Sequence, residues 1–353
     1  MHFNDGTVPA EYARHIGAKR LFIGGGVLFL ALSLAWSMSV GALDASFAAV
    51  LKALFGMAES KRLDIVVWNI RLPQALAAMT AGAGLATAGA VMQSILRNPL
   101  GSPFTLGISH AAAFGAAFSV MLLGGGIMTS KGAVSISSPY LAAGSAFCCS
   151  LLAAGAILVI SRARGTSPES MVLTGVALGA LFTAGTMFLQ YFADDVQLAA
   201  MVFWTFGDTA RASWSELAII AAATLCCGLY FQANAWNYNA IDAGGETARG
   251  LGVRVERVRM TGMLLASFLT AVIIAFLGII GFVGLVAPHM VRRLIGADHR
   301  YLLPASFVCG ALLLLVSDTA ARIVVAPHVL PVSVLTAFMG APVFLLLIAR
   351  RRS

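Results

Sequence analysis

Two polar segments interrupt an otherwise apolar chain, and their residue types suit a moving path rather than covalent chemistry. The first, RNPLGSPFTLGIS from Arg97 to Ser109, lies between an uncharged run over residues 72–96 and another that reaches Ser130. Irregular backbone at membrane depth persists only where protein or a water-filled cavity satisfies its polar groups. Broken segments of this kind mark transport paths. The second, IDAGGETARGLGVRVERVR from Ile241 to Arg259, predicts a short helix over 247–251, ended by Gly252, with Ala248 and Leu251 on one side. Such a helix suits a cleft on another protein; a solvated hinge loop is the alternative. No G-x-x-x-x-G-K-[ST] phosphate loop, H-E-x-x-H, nucleophile elbow or Cys/His zinc pattern occurs. No catalytic or metal-ligating residue is therefore assigned, and the chain does not read as an enzyme. Cys148, Cys149, Cys226, Cys227 and Cys309 sit in apolar runs without CxxC spacing, as small hydrophobes would.

The elements that position these segments must cross a bilayer. Hydrophobic residues are 59% of the 353 and charged residues 11%, against about 25% charge in soluble domains; mean hydropathy is +0.88. No stretch of mixed polarity is long enough for a separate soluble domain, so the whole of 1–353 reads as one transmembrane domain. Uncharged runs predict spans over 21–41, 72–96, 98–130, 132–161, 170–193, 217–241, 260–290, 301–317 and 323–349. Residues 1–20 are too charged for a secretory signal and lead into a retained first span. The net charge of +8 fits basic loops on one side of a membrane rather than nucleic-acid binding. Arg14, Lys19, Arg20, Arg162, Arg164, Arg249, Arg254, Arg257, Arg259, Arg292, Arg293, Arg300 and Arg350–Arg352 are assigned to the cytoplasm. The run between Arg259 and Arg292 must then cross and return. Two full spans need about 40 residues, so one member is short or broken, at Gly278, Gly281 and Gly284 followed by Pro288. The spans then number ten, with both termini cytoplasmic.

Outside loops follow by parity: 44–70 with an amphipathic stretch over 44–55, 194–213 with Trp204 and Trp214 in an interfacial belt, and 318–330 carrying Arg322, Pro327 and His328. Small residues from Ala81 to Ala90 let helices approach closely. Each half holds an apolar run, a Gly/Pro break and a charged hinge (RNP in one, PHMVRR in the other), an echo too faint to establish a repeat. The membrane runs are nearly free of the acidic residues that ion-coupled carriers use, so a partner is expected to supply the energy. A stand-alone secondary carrier and a non-transporting scaffold are the alternatives.

Four separated segments carry a resemblance, in family order, from Ile70 to the C-terminus. IRLPQALAAMTAGAGLATAGAVMQSILRNPLGSPFTLGIS, ETARGLGV, GFVGLVAPHMVRRLIGADHRYLLP and LPVSVLTAFMGAPVFLLL resemble the signatures of the FecCD-type permeases, the membrane subunits of ABC importers for iron-siderophores, haem and cobalamin. The resemblance implies an all-α integral membrane fold of the type II ABC importer kind, with ten transmembrane helices in inverted five-helix halves. It implies a homodimer or a pair with a sister permease, two cytoplasmic ABC ATPase subunits that hold the ATP and Mg, and a periplasmic or lipid-anchored binding protein. No cofactor is expected in this chain, and the location implied is a bacterial or archaeal inner membrane. By family position, Arg71 and Arg322 receive acidic residues of the binding protein. Asn98 and Leu100, with Thr166 and Ser167, form the cytoplasmic gate. Glu246, Ala248, Leu251 and Gly252 form the coupling helix. The spans over 170–191 and 330–348 would line the path, where Met187 and Gln190 could face a bulky chelate. Two departures stand out: Gln74 replaces a second arginine, and Val329 and Ser333 replace a Glu and a Gly around Leu330-Pro331-Val332, beside His328. The cargo expected is a metal-chelate, foremost a ferric siderophore, with haem or cobalamin as alternatives.

Overall fold

Apolar runs in lipid must satisfy every backbone N–H and C=O internally, so they coil into helices. In the computed structural model, residues 10–40, 46–58, 60–122, 126–128, 134–136, 138–163, 166–326 and 328–349 are described. Residues 1–9, Asp44, Arg164, Pro327 and Arg350–Arg352 lie outside them. The helices are α1 (Ala10–Ser39), α2 (Phe47–Leu54), α3 (Lys61–Val66), α4 (Leu72–Ile95), α5 (Ile108–Leu122), α6 (Pro139–Ala163), α7 (Pro168–Phe192), α8 (Asp195–Thr205), α9 (Trp214–Ala233), α10 (Ala235–Asp242), α11 (Gly245–Gly250), α12 (Val255–Leu277), α13 (Val283–Ile295), α14 (His299–Ile323) and α15 (Val332–Ala349). Seven are long and apolar enough to cross a membrane, with α3 and α4 counted as one continuous stretch. Among the described residues, α5 and the Val332–Pro342 part of α15 are shorter apolar helices, and with the short α13, which returns the chain between α12 and α14, the helices of the bundle number ten. One small antiparallel hairpin, Gly126–Met128 against Val134–Ile136, joins α5 to α6, where the sequence predicts continuous spans.

Several boundaries differ from expectation for local reasons. Among its described residues, the run 98–130 holds the 15-residue α5 and the strand Gly126–Met128; Pro99, Gly101 and Pro103 keep residues 98–107 out of a helix. The run 217–241 divides at Asn234 into α9 and α10. Residues 194–213 are not a loop: Asp194 and Gln197 form a capping box that starts α8. Trp204 is buried rather than interfacial; Trp214 is exposed and its indole donates to Trp68 O at 3.0 Å. Asp318 and Arg322 belong to α14, not to a loop. The amphipathic stretch near the start is helical, as α2, with Ala49, Val50 and Ala53 buried.

The core is α4, buried almost throughout. Its small residues admit neighbouring backbones: a Cβ on Gly89 would lie 1.7 Å from Gly284 O on α13, and one on Gly82 would lie 2.2 Å from Gly310 O on α14. Gly284 is thus a packing residue, and Pro288 lies inside α13; the break itself is residues 278–282, where Gly278 (φ +77°) and Phe282 (φ +66°) turn the chain.

That break identifies the repeat. A long helix (α4 or α12) ends in an irregular segment, a short helix (α5 or α13) follows and packs on the next long one (α6 or α14), and a last helix (α7 or α15) closes the half. α4 packs on α14 as α12 packs on α6, and α4 and α12 pack on each other. The break after α4 lies beside Asp242, to which nearby Ser94 donates at 2.8 Å. The break after α12 lies at the opposite end, where Asp208 N donates to Leu277 O at 2.8 Å. The halves are therefore inverted. The partner of the RNP segment is residues 278–282, not PHMVRR, which lies within α13.

Candidate functional site

The expected site residues fall at the two ends of the bundle and on one flank. At the first end, α11 stands outward on a rigid base. Gly252 adopts φ +82°, Val253 N donates to Ala248 O at 2.9 Å and Gly252 N to Arg249 O at 2.9 Å. This is the Schellman stop, in which a left-handed glycine satisfies the last carbonyls of a helix. Ala248 is buried against the body, whereas Leu251 is 70% exposed. The two do not share a face, contrary to the sequence reading, because the helix docks through Ala248 and turns Leu251 outward. Arg249 pairs with Glu246 and, at 2.6 Å, with Glu256, and the hydrogen bond it donates to the Glu256 carboxylate holds its guanidinium above the usual value. That clamp ties α11 to the first turn of α12.

Behind α11 is a polar cluster that sequence reasoning missed. Asn239 of α10 accepts from His299 N at 2.8 Å and donates to Asp298 at 2.9 Å. Asp242 accepts from Ser94. Burial alone would raise the Asp298 carboxyl, but hydrogen bonds from Arg300 and Asn239 more than offset it and hold the pKa at about 2. These contacts join segments some 60 and 150 residues apart (their sequence separations are 60 and 148), so no local spacing announces them.

Of the residues expected to form the cytoplasmic gate, Asn98 lines a cleft of about 550 Å³. Leu96, Arg97 and Asn98 form one wall, and Pro168, Glu169, Val172 and Val176 form the other. Asn98 accepts from Leu100 N at 2.9 Å and so shapes its own turn. Leu100 is exposed. Thr166 is buried at φ +56°, and Arg259 donates to its carbonyl at 3.4 Å. Ser167 caps α7, accepting from Ser170 N at 3.1 Å. Asn98 lines the cleft, and Ser167 directly precedes Pro168, which lines its other wall.

At the opposite end, Arg71 and Arg322 meet on the C-terminus of α1. Pro73 in the first turn of α4 has no N–H to return to the preceding turn, and a π-turn over Val67–Arg71 takes up the break. The Arg71 side chain is thereby directed into the body: it is 5% exposed and donates to Met38 O at 2.7 Å. Arg322 donates to Ser37 Oγ at 2.6 Å and to Ser37 O and Val40 O at 3.4 Å. Cations at the carbonyl end of a helix are favourably placed. Arg322 also pairs with Asp318 at 3.3 Å. Asp318 accepts from Gln74 at 3.0 Å and from Thr209. The residue that departs from the family arginine therefore serves an internal carboxylate; the i, i+4 spacing of Asp318 and Arg322 was a readable hint. His328 and Val329 are exposed beside this rim, and Ser333 Oγ accepts from Gly207 N at 3.2 Å.

On the flank, α7 is the least buried of the long spans. Met187 is 63% exposed and Gln190 is half-buried.

With this geometry in view, comparison with known proteins is direct. The model of the FecCD transport family matches residues 29–350. An ABC transporter permease protein of Methanocaldococcus jannaschii is 50% identical over 97% of this chain and 98% of its own length. The hemin transport system permease protein of Yersinia pestis is 37% identical, over 94% and 96%. A solved structure described as an inward-facing conformation of a metal-chelate type ABC transporter superposes with a TM-score of 0.81 at 30% identity, covering 93% of this chain and 98% of that one. Ten helices in inverted halves, two opposed breaks and these likenesses agree: the chain belongs to the FecCD transport family, as a multi-pass permease of the metal-chelate-type ABC importers.

Proposed function

We propose that this chain is the membrane-spanning subunit of an ATP-driven importer for a metal-chelate, with a ferric siderophore as the cargo. The observation that carries the ATP-driven part is α11, an outward helix with Leu251 presented and its far side clamped to α12. A partner ATPase that holds ATP and Mg would grip this helix and move α12, and with it the break at 278–282. Two ATPase subunits and a second copy of this chain complete the assembly, in an inner membrane with both termini cytoplasmic. The binding protein lands on the rim built by Arg71 and Arg322. Since both arginines are engaged with α1, its carboxylates would meet them by sharing those contacts, a charge-assisted pairing that registers docking. Cargo then passes between the α7 and α15 flanks, past Met187 and Gln190, and leaves through the cleft between Asn98 and the start of α7, beside the Thr166 and Ser167 turn.

Haem is the second reading. It is favoured by the hemin-named relative and by the exposed His328 at the receiving rim. Native mass spectrometry of the complex purified from its own source decides the assembly: two copies of this chain with two ATPase chains are expected, and a chain without an ATPase overturns the proposal. A retained siderophore or haem mass decides the cargo.

A further inference from the structure

We propose that the groove between α1, α9 and α14 binds one anionic, phosphate-headed lipid of the surrounding membrane. Its acyl chain would lie along the groove and its phosphate beside Lys19. The groove holds about 520 Å³ and is lined by Val27, Leu225, Gly228, Leu229 and Phe307, with Gln232 at one end. Its walls are three spanning helices, so the medium that fills it is hydrocarbon. Gly228 keeps it open: no atom lies within 4 Å of where a Cβ would stand.

The end marked by Gln232 is polar and cationic. Gln232 donates to Arg300 O at 3.2 Å. The Arg300 guanidinium lies 4.3 Å from the centre of the Trp236 ring and 5.6 Å from that of Tyr301. The Lys19 ammonium lies 5.3 Å from the same Tyr301 ring. Lys19, Ile23 and Val27 recur every fourth residue, so the lysine continues the stripe of α1 that lines the groove. Arg300 is compensated by Asp298 at 2.6 Å. Lys19 is not: it is 8% exposed, and no carboxylate among the described residues pairs with it. A buried ammonium without a counter-charge is costly. An apolar trough that ends in an uncompensated ammonium and an exposed tryptophan has the charge and polarity order of a phospholipid, chain first and headgroup last. Tryptophan and tyrosine favour the headgroup level, and basic pockets between spanning helices hold anionic headgroups. The proposal is independent of the transported cargo.

The test uses the purified full-length protein in mild detergent, titrated with phosphatidylglycerol or phosphatidylcholine and read by native mass spectrometry, with melting as a control. Wild type is expected to bind one lipid per chain, and phosphatidylglycerol about fivefold more tightly, the increment of one lysine near a charged headgroup. Lys19→Gln should remove that preference while still binding a lipid. Gly228→Leu should remove binding of both lipids and melt no lower than wild type, because leucine is the better helix former and its Cβ enters open space. Undiminished binding in Gly228→Leu, an undiminished preference in Lys19→Gln, or a polypeptide seated in the groove in place of lipid would each overturn the proposal.

Discussion

Asp318 is a carboxylate within a spanning helix, and the residues around it show how a single substitution is absorbed. Its oxygens meet Gln74, Thr209 and Arg322, so α4, the turn before α9 and α14 share one anion. Removing a donor from a buried carboxylate leaves part of its desolvation uncompensated, about 1–3 kcal/mol. Gln74→Ala is therefore expected to lower stability by that amount, measured by denaturant unfolding in mild detergent, whereas an exposed Gln74 acting only in docking would leave unfolding unchanged. Asp298 gives a pH signature at the other end. Its folded pKa of about 2 lies below the unfolded value of about 3.9, so its contribution is present above about pH 4 and is lost as pH falls toward 2. The stability difference between wild type and Asp298→Asn should hold constant from about pH 7 to 5 and shrink below about pH 4. A difference that grows on acidification would contradict the Arg300 pairing.

At the scale of elements, α11 is short, and the stability it needs comes from its cap and its clamp rather than from its length. Leu251 contributes little to the fold, being 70% exposed, and exposed substitutions usually change stability by less than about 0.5 kcal/mol. Leu251→Asp should leave melting unchanged while abolishing co-purification with the ATPase; an intact, transport-competent complex would remove α11 from the coupling role. The packing of α4 is the opposite case. Gly89→Ala should prevent a stable fold, read as loss of a cooperative melting transition, because its Cβ would enter the space of Gly284 O. These elements also show what could be read from the chain alone. The glycine stop at Gly252, the small residues of α4 and the break before α13 were legible because each is a local chemical requirement. The division at Asn234, the shortness of α5 and the burial of Trp204 and Arg71 were not. The two burials are set by partners distant in sequence: Arg71 reaches Met38 O, and the Trp204 ring packs among Ala112, Ala146 and Ile274. Only the fold sets the segment from Leu96 to Asn98 against the start of α7 across one cleft; no local spacing relates the two.

Over the whole molecule, inversion sets two ordinary chain breaks, after α4 and after α12, at opposite ends of one shared α4–α12 core. A tilt of one half against the other would open one end as it closes the other. This is how inverted repeats give alternating access. The tilt needs a surface to move against, and α7 supplies one. Leu173, Val176, Leu181, Met187 and Phe188 are 73%, 57%, 65%, 63% and 64% exposed, an apolar flank that continues the cleft beside Asn98. If a second copy covers this flank, a charge there faces protein across the interface, where it lacks a partner; if lipid covers it, the same charge leaves the subunit count untouched. Val176→Arg is accordingly expected to convert a two-copy assembly into single chains in native mass spectrometry, with the individual chain still melting cooperatively. Persistence of two copies would assign α7 to lipid and move the path to another flank.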